Sequence, residues 1–438
     1  MSQKSGSSST KSTLGILFLT IFLDLVGFSI IFPLFPAMLE YYLDLESGEP
    51  GFVSRLHSFL LSISGDNADP FRATVFFGGA LGSLYAFIQF FASPLWGALS
   101  DKIGRRPVLL ITVGGLFLSY LLWIFSARFE LLLIARILGG LAAGNISVAT
   151  AVVADVTTAE NRSKGMALIG VAFGLGFIIG PAIGGLSSQW VLSEGSDAWF
   201  GLHPFSVPAI ISAGLAAVNL LWIATKLPET LPTEGELNKE HASSPPIFQL
   251  FQIKTPGVAS LILFYFFYLL AFSGMEFTLT FFAVDSFAYT PMQNGWMFVF
   301  IGVVLILCQG GLVRRLAPKL GDKKLGFSGM IIGIAGFALL AFSGGSQGIF
   351  FSALTLITIG ISFVNPTLSA LVSNASEAAE QGRALGIFRS AGSLARAVGP
   401  IVASILYFLG APLWAYLFCA LLGLIAAVGM KRIQIGAA

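Results

Sequence analysis

Residues 97–110 read GALSDKIGRRPVLL and join two long apolar stretches through a few charged residues. Gly104 permits a sharp turn of the backbone at this point. Beside it, Asp101 is crowded against the paired basic residues Arg105 and Arg106. We interpret this loop as a charged latch that holds helices together in one conformation and releases them in another. The alternative is an ordinary basic loop at the cytoplasmic face of a membrane.

Apolar stretches dominate the rest of the chain. Hydrophobic residues make up 55% of its 438 residues and charged residues 11%, whereas soluble domains carry about 25% charged residues. A membrane-spanning helix needs roughly 20 apolar residues, and twelve stretches meet this length. They cover 14–39, 73–99, 108–126, 129–154, 165–189, 204–225, 256–281, 291–316, 325–343, 347–374, 383–409 and 411–431. The sequence lacks the strands of about ten residues with alternating polarity that a membrane β-barrel needs, so we predict an all-α integral membrane protein.

A polar stretch divides the chain into two halves. Residues 226–255 form the longest polar segment and fall between the sixth and seventh apolar stretches. The halves echo each other, because RSKG at 162–165 resembles RALG at 383–386. The GP pairs at 180–181 and 399–400 follow at nearly the same spacing. Such a repeat indicates an internal duplication, so we predict two pseudo-symmetric six-helix bundles. The expected parts are a disordered tail 1–13, a bundle 14–225 with an external loop 40–72, a linker 226–255, a bundle 256–431 and a tail 432–438.

The distribution of lysine and arginine predicts the orientation. Outside the apolar stretches, only Arg55, Arg72 and Arg128 fall on the side opposite the termini. Because cytoplasmic loops carry the excess of basic residues, we expect both termini in the cytoplasm and the protein in the plasma (inner) membrane.

Composition and motifs disfavour several other functions. The net charge is only +2 and the basic residues are scattered, which disfavours nucleic acid as a partner. Cys308 and Cys419 lie in apolar stretches with no histidine nearby, so we predict neither a disulfide nor a metal site. The sequence has no P-loop and no H-E-x-x-H motif. We therefore expect no cofactor, and neither an enzyme nor an ATP-driven pump.

Three further motifs accompany the charged loop. Residues 136–165 read RILGGLAAGNISVATAVVADVTTAENRSKG, and residues 174–185 read GLGFIIGPAIGG. Together with GALSDKIGRRP they resemble the signature motifs of the major facilitator superfamily, and GLGFIIGPAIGG is typical of its drug–proton antiporter branch. The opening LDLVGFSIIFPLFP is similar to the first helix of tetracycline exporters, and the C-terminal half resembles eukaryotic tetracycline-transporter-like proteins. The resemblance covers nearly all of the transmembrane chain and implies the major facilitator fold.

That resemblance implies a secondary active transporter that works by alternating access. We expect a proton-coupled antiporter that exports small amphipathic organic compounds, with organic anions or drugs as candidate substrates. The alternative is a proton-coupled symporter or facilitator that imports a small solute, because it shares the fold and the latch. The expected partners are a small-molecule substrate, protons and the lipid bilayer. The proton gradient is the expected energy source, and we expect a monomer.

The resemblance also assigns residues to two motifs. The cytoplasmic gate motif comprises Gly97, Asp101, Gly104, Arg105, Arg106 and Asp155. The antiporter motif comprises Gly176, Gly180, Pro181 and Gly184. The glycines and the proline make this helix bendable and flat on one side. We expect that side to slide on the eighth apolar helix, and close packing without sliding is the alternative.

Five charged residues lie in apolar stretches away from the ends of those stretches, namely Asp24, Arg136, Glu276, Arg389 and Arg396. An arginine that faces lipid costs about 2.5 to 3.5 kcal/mol, so we expect these residues to face the protein interior. The resemblance places Asp24, Arg136 and Glu276 around one cavity as candidates for proton coupling, with a structural ion pair as the alternative for Arg136. Arg389 and Arg396 are candidates for the substrate cavity. Two acids against three bases predict an anionic or zwitterionic substrate.

Uncharged polar residues inside the apolar stretches are further candidates for the substrate cavity. They are Gln89, Asn145, Gln309 and Asn365. A helix–helix hydrogen bond is the commoner role for each of them.

The external loop carries a pattern of its own. Its apolar residues recur at helical spacing, which predicts an amphipathic helix over 51–63. Such a helix either shields the external mouth of the cavity or packs as a surface element.

Overall fold

The computed structural model describes residues 3–64, 69–157, 159–194, 200–231, 257–376 and 381–433. Within these ranges every regular element is a helix. The helices are α1 (Gln3–Ser29), α2 (Phe35–Leu45), α3 (Phe52–Ser64), α4 (Pro70–Ile103), α5 (Arg105–Ile124), α6 (Phe129–Ala142), α7 (Asn145–Val156), α8 (Ala159–Ser187), α9 (Ser206–Lys226), α10 (Val258–Phe287), α11 (Pro291–Leu307), α12 (Arg314–Leu320), α13 (Asp322–Ala341), α14 (Gln347–Ala375) and α15 (Gln381–Arg432). Most of the predicted linker, residues 232–255, lies outside the described residues.

The described residues contain eleven helical segments long and apolar enough to span a membrane. The last segment, Ala384–Arg432, is 49 residues long, enough for two spans of roughly 20 residues. Its backbone leaves the helical region at Gly410 (φ −145°, ψ 22°) and Ala411 (φ 65°, ψ 177°). Division at this kink gives twelve spans, so the predicted all-α membrane fold is confirmed.

Three of the spans are interrupted by turns that are not α-helical. Helices α1 and α2 are joined by the 3₁₀ turn Phe32–Leu34, because Pro33 and Pro36 cannot donate backbone hydrogen bonds. Helices α6 and α7 meet at Gly144. Helices α11 and α12 are joined by the π-helical turn Cys308–Val313. At such interruptions some backbone N–H and C=O groups lack a partner within the helix. Secondary transporters use groups of this kind near the middle of the membrane to bind substrates and ions.

The N-terminal tail differs from the prediction. We predict disorder over residues 1–13, but α1 already begins at Gln3. A helix anchored by an apolar span extends outward at little cost, because each added residue completes one more backbone hydrogen bond. Hydropathy marks only the part of a helix that lies in lipid. For the same reason α4 covers Pro70–Ile103, although its apolar stretch covers only 73–99.

The chain divides into two compact units. The first comprises Met1–Leu45, Phe87–Ser243 and Pro291–Val299. The second comprises Glu46–Ala86, Ser244–Thr290 and Phe300–Ala438. The first half of α4 therefore belongs to the same unit as α10 and α15, and the first residues of α11 belong with α8.

Each unit has its own packed interior. In the first unit, α1 lies at the centre of a core to which α5, α7, α8 and α9 contribute buried aliphatic side chains. In the second unit, α10 packs closely on α15, because a Cβ at Gly274 would lie 2.9 Å from the carbonyl oxygen of Gly399. Helices α13 and α14 approach as closely, with a Cβ at Gly329 placed 2.9 Å from the carbonyl oxygen of Gly360. Small residues allow this backbone-to-backbone packing in membrane helices.

The predicted amphipathic helix of the external loop is confirmed as α3, Phe52–Ser64. Glu46 caps its first turn, because the carboxylate accepts a 2.7 Å hydrogen bond from the backbone N–H of Ser54. Leu60 is buried, whereas Phe59 is 59% exposed. One side of α3 therefore packs on the protein and the other does not.

Candidate functional site

The charged latch closes around Arg105 at the start of α5. Its guanidinium donates hydrogen bonds to Asp101 (2.5 Å), to Asp155 (2.9 Å) and to the Ser100 hydroxyl (2.7 Å). Gly104 has a φ of 107°, a conformation that glycine adopts without strain. Because Asp155 comes from the end of α7, the pairs tie α4, α5 and α7 together. The structure thus brings together residues that the sequence motif separates by about 50 positions.

A further acidic residue joins the latch from the segment that follows α9. The Glu229 carboxylate accepts hydrogen bonds from the backbone N–H groups of Arg105 (2.8 Å) and Arg106 (3.2 Å). It thereby caps the first turn of α5, where a negative charge is favourable. It also accepts hydrogen bonds from the backbone N–H groups of Thr230 and Leu231. Burial raises the pKa of the Glu229 carboxyl, but the backbone donors outweigh burial and hold the pKa below its usual value.

Sequence reasoning missed Glu229. The available signal was an acidic residue just after the sixth apolar stretch, on the same side of the membrane as the basic latch. Two other gate residues, Arg106 and Gly97, contact α9 and α7. Arg106 donates a 2.5 Å hydrogen bond to the carbonyl oxygen of Ala224 on α9. A Cβ at Gly97 would lie 3.0 Å from the Ser147 hydroxyl oxygen, so α4 passes close to α7 at that point.

The glycines of the antiporter motif face α1. A Cβ at Gly176 would lie 2.5 Å from the Cβ of Leu25, and one at Gly180 would lie 2.6 Å from the carbonyl oxygen of Val26. Gly184 meets the backbone of Ile30, the residue that directly follows α1. These residues recur at every fourth position, so they share one face of α8. Only glycine permits the two backbones to approach this closely.

The predicted sliding partner, the eighth apolar helix, faces other residues of the same motif. A Cβ at Gly185 would lie 2.6 Å from the Cα of Gly295 on α11. A Cβ at Gly295 would lie 3.2 Å from the carbonyl oxygen of Pro181. Residues 184 and 185 point about 100° apart around a helix, so one motif packs on two partners.

Asp24 lies on α1 immediately before this contact. Asp24 is 8% exposed and adjoins the side chain of Asn145 at the start of α7. The Asn145 amide nitrogen makes no well-formed hydrogen bond, while its Oδ1 accepts one of 2.9 Å from the backbone N–H of Ile146. None of the ion pairs found among the described residues includes Asp24. Asp24 therefore places a carboxyl group at membrane depth beside an amide.

Arg136 of α6, a predicted candidate for proton coupling, lies beside two aromatic rings. Its guanidinium carbon is 5.9 Å from the ring centroid of Phe35 and 5.7 Å from that of Trp123. These are cation–π distances. Arg136 is only 7% exposed, which agrees with the expected cost of an arginine in lipid.

The second unit brings three predicted residues into one cluster. Arg396 Nη1 on α15 lies 3.4 Å from Glu276 Oε2 on α10, and these side chains are 28% and 15% exposed. Arg389 precedes Arg396 by seven residues, or about two turns, on the same face of α15. Tyr265 of α10 interacts electrostatically with both arginines. Its ring stacks on Phe388 with 3.9 Å between centroids and 20° between planes. Sequence reasoning noted the aromatic run around Tyr265 without singling it out.

The uncharged polar candidates take different positions. Gln89 Nε2 donates a 3.1 Å hydrogen bond to the carbonyl oxygen of Ala143, so it braces the break between α6 and α7. Gln309 is exposed within the π-helical turn. The Oδ1 atom of Asn365 is buried without a hydrogen-bond partner. In the part of the chain that the structure describes, no group of three or more His, Cys, Asp or Glu side chains is placed to hold a metal ion.

Known proteins resemble this chain along almost its full length. A family model described as Major Facilitator Superfamily matches residues 17–378 and 315–433. The mouse major facilitator superfamily domain-containing protein 10 is 34% identical over 440 residues, which covers 95% of this chain and 92% of its own. The class B tetracycline resistance protein of Escherichia coli is 29% identical over 407 residues, which covers 93% of this chain and 90% of its own. The crystal structure of the human organic anion transporter MFSD10 (TETRAN) matches with a TM-score of 0.75 and 30% identity, covering 96% of this chain and 99% of that one. The chain is a multi-pass membrane protein that belongs to the Major Facilitator Superfamily.

Proposed function

We propose that this transporter is a proton-coupled antiporter that exports small amphipathic organic compounds by alternating access. The observation that carries the proposal is Asp24, a carboxyl group in the first membrane span that is almost fully buried and makes no ion pair among the described residues. An acidic group of this kind costs about 2.5 to 3.5 kcal/mol in the middle of a membrane when it is charged. Proton uptake removes the charge, so the group is suited to bind and release a proton as its access to water changes.

The packing of α1 on α8 supports a link between Asp24 and conformational change. Gly176 and Gly180 contact α1 at Leu25 and Val26, directly after Asp24. The Ser29 hydroxyl adds a 2.9 Å hydrogen bond to the carbonyl oxygen of Gly176. A shift of α8 along this face therefore moves the backbone that holds Asp24. The glycine motif and the proton site act in this proposal as one mechanical element.

The relatives support the class of substrate. The human relative is described as an organic anion transporter, and the Escherichia coli relative is a tetracycline resistance protein. Arg389 and Arg396, which lie on one face of α15 near Glu276, agree with an anionic substrate. We place the protein in the plasma membrane with both termini in the cytoplasm, because the basic residues outside the spans concentrate on that side.

Proteoliposomes with an imposed pH gradient test the proposal. We expect a fluorescent organic anion or cation to accumulate on the acidic side in exchange for protons. An Asp24→Asn variant should lose gradient-driven accumulation by tenfold or more while it still exchanges substrate in the absence of a gradient. The matched control is Asp44→Asn, the same substitution at an exposed position of α2, and it should accumulate substrate like the wild type. Proton-driven accumulation that survives in Asp24→Asn would overturn the proposal.

The second candidate function is a proton-coupled symporter. The Glu276–Arg396 pair favours it, because an anion that competes with Glu276 for Arg396 binds more readily when Glu276 is protonated. The same vesicles separate the two functions, since a symporter accumulates substrate on the alkaline side.

A further inference from the structure

We propose that six exposed basic residues of the second unit form a binding surface for the phosphate groups of anionic phospholipids, a role separate from the proposed transport. This basic corner comprises Arg314, Arg315, Lys319, Lys324, Lys431 and Arg432. The six residues lie at the ends of three membrane spans, Pro291–Leu320, Asp322–Ala341 and Ala384–Arg432.

The three spans meet at the basic corner. Gly321, with a φ of 76°, is the single residue between α12 and α13. Lys323 Nζ on α13 donates a 2.6 Å hydrogen bond to the carbonyl oxygen of Ile433, directly after α15. A Cβ at Gly326 would lie 3.0 Å from the Cε of Met430, so α13 also touches α15 beside Lys431. The basic side chains of three helices are therefore neighbours at one membrane surface.

The charged latch of the first unit has the same local structure. Gly104 precedes α5 with a φ of 107°, as Gly321 precedes α13 with a φ of 76°. Two residues after each glycine, a basic side chain donates a hydrogen bond to a backbone carbonyl oxygen near the end of another helix. Arg106 does so at the end of α9, and Lys323 does so at the end of α15. The basic corner is thus the counterpart of the latch in the second unit, as an internal duplication predicts.

The charges of the two counterparts differ. In the latch, Arg105 is paired with Asp101 and Asp155. None of the ion pairs found among the described residues includes a member of the basic corner. Residues 314–324 and 431–433 carry one acidic residue, Asp322. The basic corner therefore keeps a surplus of positive charge that a bound anion would neutralise.

Exposed apolar side chains lead up to the basic residues and identify the anion as a lipid. On α15, the exposed residues Leu424 and Val428 lie seven and three positions before Lys431. On α13, the exposed Ile331 lies seven positions after Lys324. Residues at these spacings share one face of a helix. A face that is apolar within the span and basic at its end fits the acyl chains and the phosphate group of one phospholipid, whereas a soluble anion would use only the basic end.

Native mass spectrometry of the purified full-length protein tests the inference. The protein is titrated with dioleoylphosphatidylglycerol, which is anionic, and separately with dioleoylphosphatidylcholine, a zwitterion with the same acyl chains. We expect the first phosphatidylglycerol to bind about tenfold or more tightly than the first phosphatidylcholine, because several basic side chains act on one phosphate. Added salt should reduce this preference, since exposed charges are screened.

Two double variants locate the surface. Lys319→Gln combined with Lys324→Gln should lower the affinity for phosphatidylglycerol by about tenfold or more, because each basic side chain at an anionic membrane surface contributes about fivefold. The affinity for phosphatidylcholine should stay the same, and Lys323 keeps its hydrogen bond to Ile433. The matched control combines Lys102→Gln with Lys226→Gln. It removes two exposed lysines of the first unit that each lie within three residues of an acidic residue, and it should leave the preference for phosphatidylglycerol intact.

Three results would overturn the inference. The first is equal affinity of the wild type for the two lipids, and the second is an equal loss of phosphatidylglycerol affinity in the two double variants. The third is displacement of phosphatidylglycerol by millimolar inorganic phosphate, which would assign the basic corner to a soluble anion. Proteoliposome transport tests the proposed function separately, so either proposal can fail while the other stands.

Discussion

Substitution of Gly184 by alanine should lower the free energy of unfolding, because it forces α8 away from α1. A Cβ at Gly184 would fall within contact distance of the carbonyl oxygen of Ile30, and it would lie 2.9 Å and 3.2 Å from the carbonyl carbon and Cα of that residue. These are backbone atoms, so no side chain can turn aside and the helices must separate. Overpacking of this kind costs about 1 to 3 kcal/mol. Separation of the helices should also slow transport, because Asp24 lies on the displaced helix.

Gly170 offers a matched control on the same helix. A Cβ at Gly170 would meet nothing within 4 Å, so Gly170→Ala adds only the gain in helix propensity that alanine brings, about 1 kcal/mol. Gly184→Ala has the same gain, so the difference between the two variants isolates the overpacking cost of about 1 to 3 kcal/mol. Thermal unfolding of the purified variants, side by side, measures that difference. Equal unfolding temperatures and equal transport rates would refute the close contact between α1 and α8.

Three further predictions concern the latch and the buried histidine. Asp155→Asn should lower stability and transport more than Asp101→Asn, because the Asp155 side chain is 13% exposed and that of Asp101 is 49% exposed, and exposed ion pairs contribute only about 0 to 1 kcal/mol. Unfolding temperatures and uptake rates of the two variants test this order. Glu229→Ala should lower the free energy of unfolding by about 0.5 to 2 kcal/mol, because the first turn of α5 loses its cap. An unchanged unfolding temperature would contradict this prediction. Burial lowers the pKa of His203 to about 4, despite a hydrogen bond to the Trp123 carbonyl that raises it. Because the unfolded chain binds this proton near pH 6.5, the wild type should lose about 3 kcal/mol of stability as the pH falls from 6.5 to 4. In His203→Gln, stability should change less between pH 6.5 and pH 4. A slope equal to that of the wild type would refute this role of His203.

The membrane fold was predictable from the sequence because it depends on partitioning. Stretches of about 20 apolar residues must form helices in lipid, and the structure has helices at each of them. The latch was predictable as well, since glycine and opposite charges within a few positions limit the ways in which a short turn closes. Its contact with Asp155 came from the resemblance to a family, because no local rule connects α5 to the end of α7.

The partners of individual helix faces were not predictable in this way. Hydropathy reports how much of a helix is apolar, and it does not report which neighbour covers which face. The antiporter motif was therefore assigned only one of its two partners: Pro181 and Gly185 approach the eighth apolar helix, whereas Gly176, Gly180 and Gly184 pack on α1. For Arg136, too, burial was predictable but the neighbouring residues were not. Its burial was expected from the cost of charge in lipid, but its contact with Phe35 and Trp123 depends on tertiary packing.

The two membrane carboxyl groups have different neighbours, and this difference separates their roles. By sequence Asp24 and Glu276 are rivals for one task, since each is an acidic residue in an apolar stretch. In the structure Asp24 adjoins an amide, whereas Glu276 pairs with Arg396. In the proposed antiporter the proton binds Asp24, which is part of no ion pair found among the described residues. In the second candidate function, a symporter, a proton on Glu276 would release Arg396 for an anion. The side of the membrane on which substrate accumulates under a pH gradient separates the two functions.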